Sequence, residues 1–185
     1  MEIFPLSTER LILRRFARHD LPAFSGYRNQ PEVARYQSWS SFSAADASAF
    51  LEQQHELAFD ADETWFQIAV ERKEDAVLAG DVAVHFFDGG RQAELGVTFD
   101  ASCQRQGYAT EALSRVIGLL FDDLKKHRIV ATVDTRNASV VRLLEKQGFR
   151  REAHYRENIF FKGAWSDEYS FALLEHEWRA GQSFP

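Results

Sequence analysis

A polar loop between a predicted strand and a predicted helix, residues 104–109, carries the residues best suited to chemistry in this sequence. Gly107 stands where the helix opens and lets the main chain approach a ligand with no side chain in the way. The first N–H groups of a helix have no helical partners and carry partial positive charge, which attracts anions such as phosphate. Arg105 can add a charge-assisted hydrogen bond. The loop therefore predicts an anion site, with a plain helix start as the alternative.

The spacing of this loop separates it from two other phosphate-binding motifs. Residues 107–110 lack the Gly-Lys-Ser/Thr ending of a Walker loop, and the loop does not have the three-glycine spacing of the dinucleotide-binding fingerprint. Cys103 lies beside the loop without an evident His/Asp partner in the sequence, so it predicts no covalent mechanism. The six histidines show no metal-ligand spacing, and we predict no metal site.

Strands and helices on both sides must position this loop. The helix that follows it, residues 108–124, repeats apolar residues at i, i+3 and i+4, and the strand that precedes it covers residues 92–100. The other predicted strands cover residues 10–16, 64–71, 76–87 and 128–134 and a final hairpin, 149–161 and 169–174, turned at 162–165. The other predicted helices start at Asp20 as N-cap, span 31–36, span 44–59 after the cap Ser43, and run from Asn137 or Ser139 to a stop at Gly148. This order predicts an α/β (α+β) fold with a mostly antiparallel sheet.

Composition and charge limit the class of protein. The 185 residues contain no linker or repeat, which predicts a single domain over residues 1–185. A formal net charge of −6 disfavours non-specific binding of nucleic acid and suits a cationic ligand. The chain has one cysteine, no signal-like start and no apolar run of the ~20 residues that a bilayer span needs. We therefore expect a cytoplasmic protein with no nucleic-acid or membrane partner.

Several segments resemble one protein family. The loop Gln104-Arg105-Gln106-Gly107-Tyr108-Ala109 is similar to the Gln/Arg-x-x-Gly-x-Gly/Ala acetyl-CoA motif of the GNAT N-acetyltransferase superfamily. Residues 137–139 and 145–149 resemble its Asn-x-x-Ser … Glu-Lys-x-Gly-Phe segment. Residues 8–14 and 165–167 resemble the ribosomal-protein (RimJ/RimL-type) branch. Because the resemblance covers nearly the whole chain, it implies a GNAT-like twisted sheet of six to seven strands, flanked by helices, with a V-shaped splay after the fourth strand.

The resemblance also implies acetyl-CoA as cofactor and a set of residues that hold it. Amides of residues 105–109 would bind the pyrophosphate, residues 97–99 would pair with the pantetheine arm as a further strand does, and a backbone N–H of that strand would face the thioester carbonyl. The expected cofactor-binding residues are Val97, Thr98, Phe99, Gln104, Arg105, Gln106, Gly107, Tyr108, Ala109, Thr110, Asn137 and Ser139. Asn137 is alternatively a helix cap only.

The reaction implied is direct attack of a neutral amine on the acetyl thioester, which requires a base and is helped by an acid. Many family members have a Tyr where this chain has Leu144, so Ser139 is the candidate acid or hydrogen-bond donor to the thiolate, with Tyr155 as the alternative. Glu94 is the favoured base, followed by Glu157. Behind these candidates stand His154 and Glu111. The catalytic carboxylate of the RimL-type branch falls near Ile159 here, which leaves the base open.

The acceptor implied is a primary amine, either a protein N-terminus or a small molecule. Five aromatic residues are candidates to line its cleft or, alternatively, to pack in the core: Tyr36, Trp39, Phe42, Trp65 and Phe160. A homodimer is compatible with the family. A non-catalytic CoA-binding or sensing module on the same fold is the alternative to an enzyme.

Overall fold

An open sheet of eight strands forms the frame of the computed structural model, which describes residues 3–182. The strands are β1 (Leu6–Ser7), β2 (Leu11–Arg14), β3 (Thr64–Arg72), β4 (Leu78–Phe87), β5 (Gln92–Phe99), β6 (Arg128–Asp134), β7 (Arg150–Phe161) and β8 (Ala164–Leu174). Their spatial order is β1-β2-β3-β4-β5-β6-β8-β7. All neighbouring pairs are antiparallel except β5 and β6, which are parallel.

Six α-helices accompany the sheet within the described residues. They are α1 (Leu21–Arg28), α2 (Pro31–Ala34), α3 (Ala44–Glu56), α4 (Tyr108–Gly118), α5 (Ala138–Lys146) and α6 (Glu175–Gln182). A π-helical turn, Leu119–Asp123, continues α4, and short 3₁₀ turns cover Arg18–Asp20 and Ala101–Cys103. In the described part of the chain, none of these helices combines the length and the apolar composition that crossing a membrane requires.

The predicted fold class is confirmed, with one strand more than the six to seven expected. The additional strand is the two-residue β1, whose neighbours Phe4 and Pro5 carry no alternating pattern that would predict it. The helix α6 was not predicted either. The last hairpin turns at Lys162 and Gly163 alone, both with positive φ, so Ala164 already belongs to β8. A two-residue turn of this kind matches the right-handed twist of the strands that it joins.

Two predicted helix caps are decided by the structure. Asn137 caps α5, because its side chain accepts the N–H of Val140, and Ser139 lies inside the helix. Asp20 precedes α1 but does not cap it with its side chain. Its buried carboxylate instead accepts the N–H of Ala17 at 2.8 Å and two N–H groups of Arg14 at 2.7 and 2.8 Å. The bidentate hydrogen bonds from Arg14 thus orient the carboxylate of Asp20 toward β2 and not toward the amides of α1.

The sheet buries both of its faces against helices. On one face, α4, α5 and the π-helical turn cover strands β2 to β8 in a core that includes Leu113, Val116, Ile117, Leu120, Leu144, Ile129 and Phe171. On the other face, α1 to α3 cover part of β3 and β4 in a smaller core of Phe16, Phe24, Tyr27, Val33, Ala47, Leu51, Ala69 and Leu78. The apolar residues at i, i+3 and i+4 in α4 were the sequence pattern that predicted the larger core on the first face.

The two central strands separate along their length. Strands β5 and β6 pair only through residues 92–94 and 128–130. Beyond this point β5 remains paired with β4 as far as Phe99, while β6 remains paired with β8 as far as Asp134. The edge of β5 from Leu95 onwards therefore has no strand partner on the side of β6. This is the V-shaped splay that was predicted after the strand at residues 92–100.

Candidate active site at the splay

A cavity of about 430 Å³ lies where the end of β5 meets the beginning of α4. Its walls come from β5, the loop at residues 103–107, α4, α5 and the end of α2. It is lined by Glu32, Val33, Tyr36, Gln37, Val97, Thr98, Phe99, Cys103, Gln104, Arg105, Gly107, Ala109, Thr110, Asn137, Ser139, Val140, Arg142, Leu143 and Lys146. We call it the loop cavity.

All of the predicted cofactor-binding residues line the loop cavity except Gln106 and Tyr108. The side chain of Gln106 donates to the carbonyl of Ser102 at 2.6 Å. The ring of Tyr108 is buried in the core beneath the guanidinium of Arg10, 4.6 Å from its centroid. These two side chains lie outside the lining of the loop cavity and stabilise the loop. Only the main-chain groups of these two residues are left for a ligand.

The main-chain N–H groups of residues 105–110 form the most distinctive feature of the loop cavity. No hydrogen bond to another residue within 3–182 engages any of them, since the first intrahelical bond runs from Glu111 to Gly107 at 3.0 Å. Both Arg105 and Gly107 have positive φ, 60° and 85°. A non-glycine residue in this conformation is uncommon, and such strain is concentrated at functional sites. Consecutive amides in turns of this kind form anion-binding concavities.

Arg10 holds this loop in place. Its guanidinium donates to the carbonyl of Gln106 at 2.9 Å and to the carboxylate of Glu111 at 2.7 Å. The same carboxylate accepts the hydroxyl of Thr8 at 2.6 Å and the N–H of Arg10 at 2.7 Å. Burial by itself raises the pKa of Glu111, but these hydrogen bonds outweigh it and hold the pKa below its usual range. The carboxylate of Glu111 is thus engaged in supporting the loop, a role that its sequence position did not indicate.

Three cations line the loop cavity without a counterion. Arg105 comes from the loop, and Arg142 and Lys146 lie one turn apart on α5. None of the three side chains makes a hydrogen bond or an ion pair with another residue in the described part of the chain. Glu32 is the acidic residue in the lining. Together with the free amides, these cations make the cavity a site for an anion of several charges.

A second cavity of about 320 Å³ lies between the splayed strands. Its lining comprises Tyr36, Gln37, Ser38, Leu95, Gly96, Val97, Leu113, Ala131, Thr132, Val133, Asp134, Asn137, Val140, Leu144, Ile159, Phe161 and Glu168. We call it the splay cavity. It adjoins the loop cavity, because the two share Tyr36, Gln37, Val97, Asn137 and Val140. Of the aromatic residues proposed for an acceptor cleft, Tyr36 lines both cavities.

The predicted catalytic residues are not brought together. Ser139 lines the loop cavity and is exposed to solvent. Glu94, Tyr155 and Glu157 line neither cavity. Glu94 lies on β5 at the last pair with β6, opposite Val130, just before the strands separate. The roles of these four residues therefore stay predictions.

A bulge in the last hairpin places a carboxylate that the sequence analysis did not consider. Pairing of β7 with β8 passes from Tyr155–Glu168 to Ile159–Ser166, so residues 156–158 oppose a single residue, Asp167. The carboxylate of Asp167 accepts the N–H of Glu157 at 2.8 Å and contacts His154 at 2.7 Å, which fixes the bulge. Bulges re-aim side chains next to active sites. Next to this bulge, Glu168 pairs with Asp134 of β6 and lines the splay cavity with it, a position that only strand pairing reveals.

Known proteins agree with this architecture. Residues 10–150 match the family model of the acetyltransferase (GNAT) domain, so the chain belongs to the GNAT acetyltransferase family. It is 31% identical over 173 residues, 94% of this chain and 98% of the other, to the uncharacterized N-acetyltransferase YnaD of Bacillus subtilis (strain 168). It is 28% identical over 88 residues, 48% of this chain and 45% of the other, to the ribosomal protein uS5-alanine N-acetyltransferase of Escherichia coli (strain K12).

Solved structures show the same fold. The crystal structure of the acetyltransferase (GNAT family) from Bacillus anthracis has a TM-score of 0.83 at 29% identity, covering 94% of this chain and 99% of the other. The spermidine N-acetyltransferase from Vibrio cholerae in complex with CoA and spermine has a TM-score of 0.79 at 22% identity, covering 93% and 99%. The predicted family and the predicted enzyme class, an N-acetyltransferase, are confirmed. None of these relatives supports the non-catalytic alternative.

Proposed function

We propose that this protein transfers the acetyl group of acetyl-CoA to a primary amine, a protein N-terminus or a small molecule, by direct attack within a ternary complex. The observation that carries the proposal is the run of unengaged amides at residues 105–110, facing a cavity with three unpaired cations and adjoining the gap between β5 and β6. Acetyl-CoA, when bound, supplies an activated acetyl thioester.

The loop cavity fits the phosphate-rich end of acetyl-CoA. The amides of residues 105–109 would bind the pyrophosphate, with Arg105 adding charge. Arg142 and Lys146 would face the remaining phosphate, because their side chains line the same cavity from α5. A Cβ on Gly107 would lie 3.1 Å from the guanidinium of Arg10, so a larger residue there would crowd both the loop and its support.

The free edge of β5 fits the extended part of the same molecule. Residues 97–99 line the loop cavity and have no strand partner on the side of β6. Peptide-like groups can therefore add to this edge as a further strand would. A backbone N–H of this segment would donate to the thioester carbonyl and stabilise the negative charge that develops on its oxygen.

The splay cavity provides the route of the amine. The nitrogen of the amine would form the bond to the acetyl carbon, the carbon–sulfur bond would break, and its electron pair would pass to sulfur. Ser139, in the first turn of α5, would hydrogen bond the thiolate, and Asn137, the N-cap of α5, would hydrogen bond the pantetheine arm. Glu94 remains our sequence-based proposal for the base through an ordered water, and Tyr155 and Glu157 remain proposals of second rank.

Thermal unfolding and thiol release test the proposal together. A ligand at a hundredfold excess over its Kd stabilises the native state by about 2.7 kcal/mol. For a chain of this size that corresponds to a rise in Tm of about 5–10 °C. We expect this rise with acetyl-CoA and not with NAD or ATP, and free thiol on addition of amines. Stabilisation without thiol release for any amine would refute the enzymatic role.

Location and assembly belong to the proposal as well. The single cysteine, Cys103, is buried and unpaired, which is compatible with a reducing compartment such as the cytoplasm. A homodimer is compatible with the family. Fractionation of cells and light scattering of the purified protein would test these two expectations.

A further inference from the structure

We infer that the amine acceptor carries no carboxylate beside its nitrogen, and that Glu168 binds its ammonium group in the splay cavity. This inference rests on the proposed function. The acceptors that it admits are peptide N-termini, amino-acid amides and simple alkylamines. Free amino acids are excluded.

The position of the splay cavity makes it the acceptor side. Residues 98–110, which carry the predicted pyrophosphate loop, contribute nothing to its lining. The two cavities meet at Val97, Asn137 and Val140. An acetyl group delivered along β5 would reach this junction, so the attacking amine must arrive from the opposite side, through the splay cavity.

The charge of the splay cavity has a single sign. Among the described residues of its lining, Asp134 and Glu168 are the charged ones, and both are acidic. The two face each other across paired strands, Asp134 on β6 and Glu168 on β8. The lining of the splay cavity therefore contributes no cation to a carboxylate on the acceptor, and the guanidinium beside it, that of Arg136, is engaged by Asp134. Burying a carboxylate beside Glu168 without a counterion is unfavourable.

Asp134 is already neutralised. Its oxygens accept the side chain of Arg136 at 2.9 and 2.6 Å and the N–H of Arg136 at 2.8 Å. The guanidinium of Arg136 also donates to Ser166 at 2.6 Å. These contacts with Arg136 hold the pKa of Asp134 below its usual range. The charge that remains available to a ligand in this cavity is that of Glu168.

A hydrogen bond to one carboxylate oxygen orients Glu168, and the other oxygen remains available to a ligand. The side-chain amide of Asn158, placed by the bulge, donates to its Oε2 at 2.5 Å. No cation within residues 3–182 pairs with it. The nearby Lys162 is occupied by the carbonyls of Ala34 and Trp39. The titratable groups that face Glu168 from its neighbours are Tyr155 on β7, Asp134 on β6 and Tyr36 across the cavity.

Matched acceptor pairs test the inference on the unmodified protein. We would compare alaninamide with alanine, leucinamide with leucine, and phenylalaninamide with phenylalanine, at saturating acetyl-CoA, by the release of free thiol. We expect kcat/KM, expressed per concentration of neutral amine at the assay pH, to be at least about tenfold higher for an amide than for its acid, the ratio that one charge-assisted contact supports. The correction is needed because the amino group of an amide is less basic than that of the free amino acid. Equal corrected values for the two members of every pair would overturn the inference and leave the proposed function intact.

The variant Glu168→Gln tests the residue. It keeps the shape of the side chain and removes its charge. We expect KM for the amide to rise about tenfold and the preference for amide over acid to shrink, with KM for acetyl-CoA unchanged. Glu52→Gln is the matched control, because Glu52 is an exposed carboxylate of α3 outside both cavities. Its kinetics should equal those of the wild type.

The failures of the inference and of the proposed function are distinguishable. If Glu168→Gln folds and retains the wild-type KM for amides, Glu168 is not the ammonium site. If it does not fold, the acceptor pairs on the wild type still decide the acceptor class. Absence of thiol release with every amide while acetyl-CoA still raises the Tm would overturn the acceptor assignment. Loss of the acetyl-CoA effect itself would overturn the proposed function.

Discussion

Replacing Gly80 by alanine would place a methyl group inside the main chain of β5. A Cβ at this position would lie 2.3 Å from the carbonyl oxygen of Thr98, 2.8 Å from Cα of Phe99 and 2.9 Å from Cγ of Phe99. The first two atoms belong to backbone and cannot rotate away. Strands β4 and β5 would therefore have to separate at the Gly80–Phe99 pair, and Phe99 also lines the loop cavity.

The size of the effect follows from these contacts. Overpacking a well-ordered core typically costs about 1–3 kcal/mol. Separation of the strands would also weaken a buried backbone hydrogen bond, at about 1 kcal/mol. We expect Gly80→Ala to lose about 2–4 kcal/mol of unfolding free energy. For a chain of this size, this corresponds to a fall in Tm of roughly 4–16 °C. KM for acetyl-CoA should rise as well, because Thr98 and Phe99 line its predicted site.

Thermal unfolding followed by circular dichroism would measure the loss, and Gly26→Ala is the control with the opposite sign. Gly26 lies in the middle of α1, is exposed, and has no atom within 4 Å of a built Cβ. Alanine there should raise the stability by up to about 1 kcal/mol. If Gly80→Ala melted at or above the wild-type temperature, the close approach of β4 and β5 would be wrong.

Three further predictions concern the loop around Gly107 and the pH dependence of stability. Gly107→Glu should abolish the thermal stabilisation by acetyl-CoA, since it adds a side chain at φ 85° and a negative charge; an unchanged Tm shift would remove the loop from the site. Arg10→Gln should raise KM for acetyl-CoA about tenfold at a similar kcat in initial-rate assays, because the carbonyl of Gln106 loses its charged donor; an unchanged KM would contradict this support. The hydrogen bond from Arg128 has the largest effect on the pKa of Glu152, burial opposes it, and Arg150 lowers the pKa further, which takes it from 4.5 to about 2. The contribution of Glu152 to stability is therefore full above pH 4.5 and is lost as the pH falls towards 2. The Tm difference between wild type and Glu152→Gln should shrink over that range, and a constant difference would refute the assignment.

Local patterns in the sequence determined most of the elements. The apolar repeat after Gly107 predicted α4, and the alternation at residues 128–134 predicted β6 with the bounds that the structure shows. The sequence also marked Gly107 as the residue where this helix opens, and the structure gives it a φ of 85°, which glycine adopts without strain. These features depend on the preferences of a short stretch of chain, so the residues that decide them are neighbours in sequence.

The tertiary structure alone decided which side chains meet. Arg10 supports the loop at residues 103–107 across 96 residues of chain, a contact that no local preference indicates. The favoured base, Glu94, lies on β5 but lines neither cavity, whereas Glu168 lines the splay cavity through the register of β8 with β6. A shift of one residue in strand register exchanges the two faces of a sheet. Side chains at the splay therefore depend on pairing between distant segments, and that pairing is settled by the packing of the whole sheet.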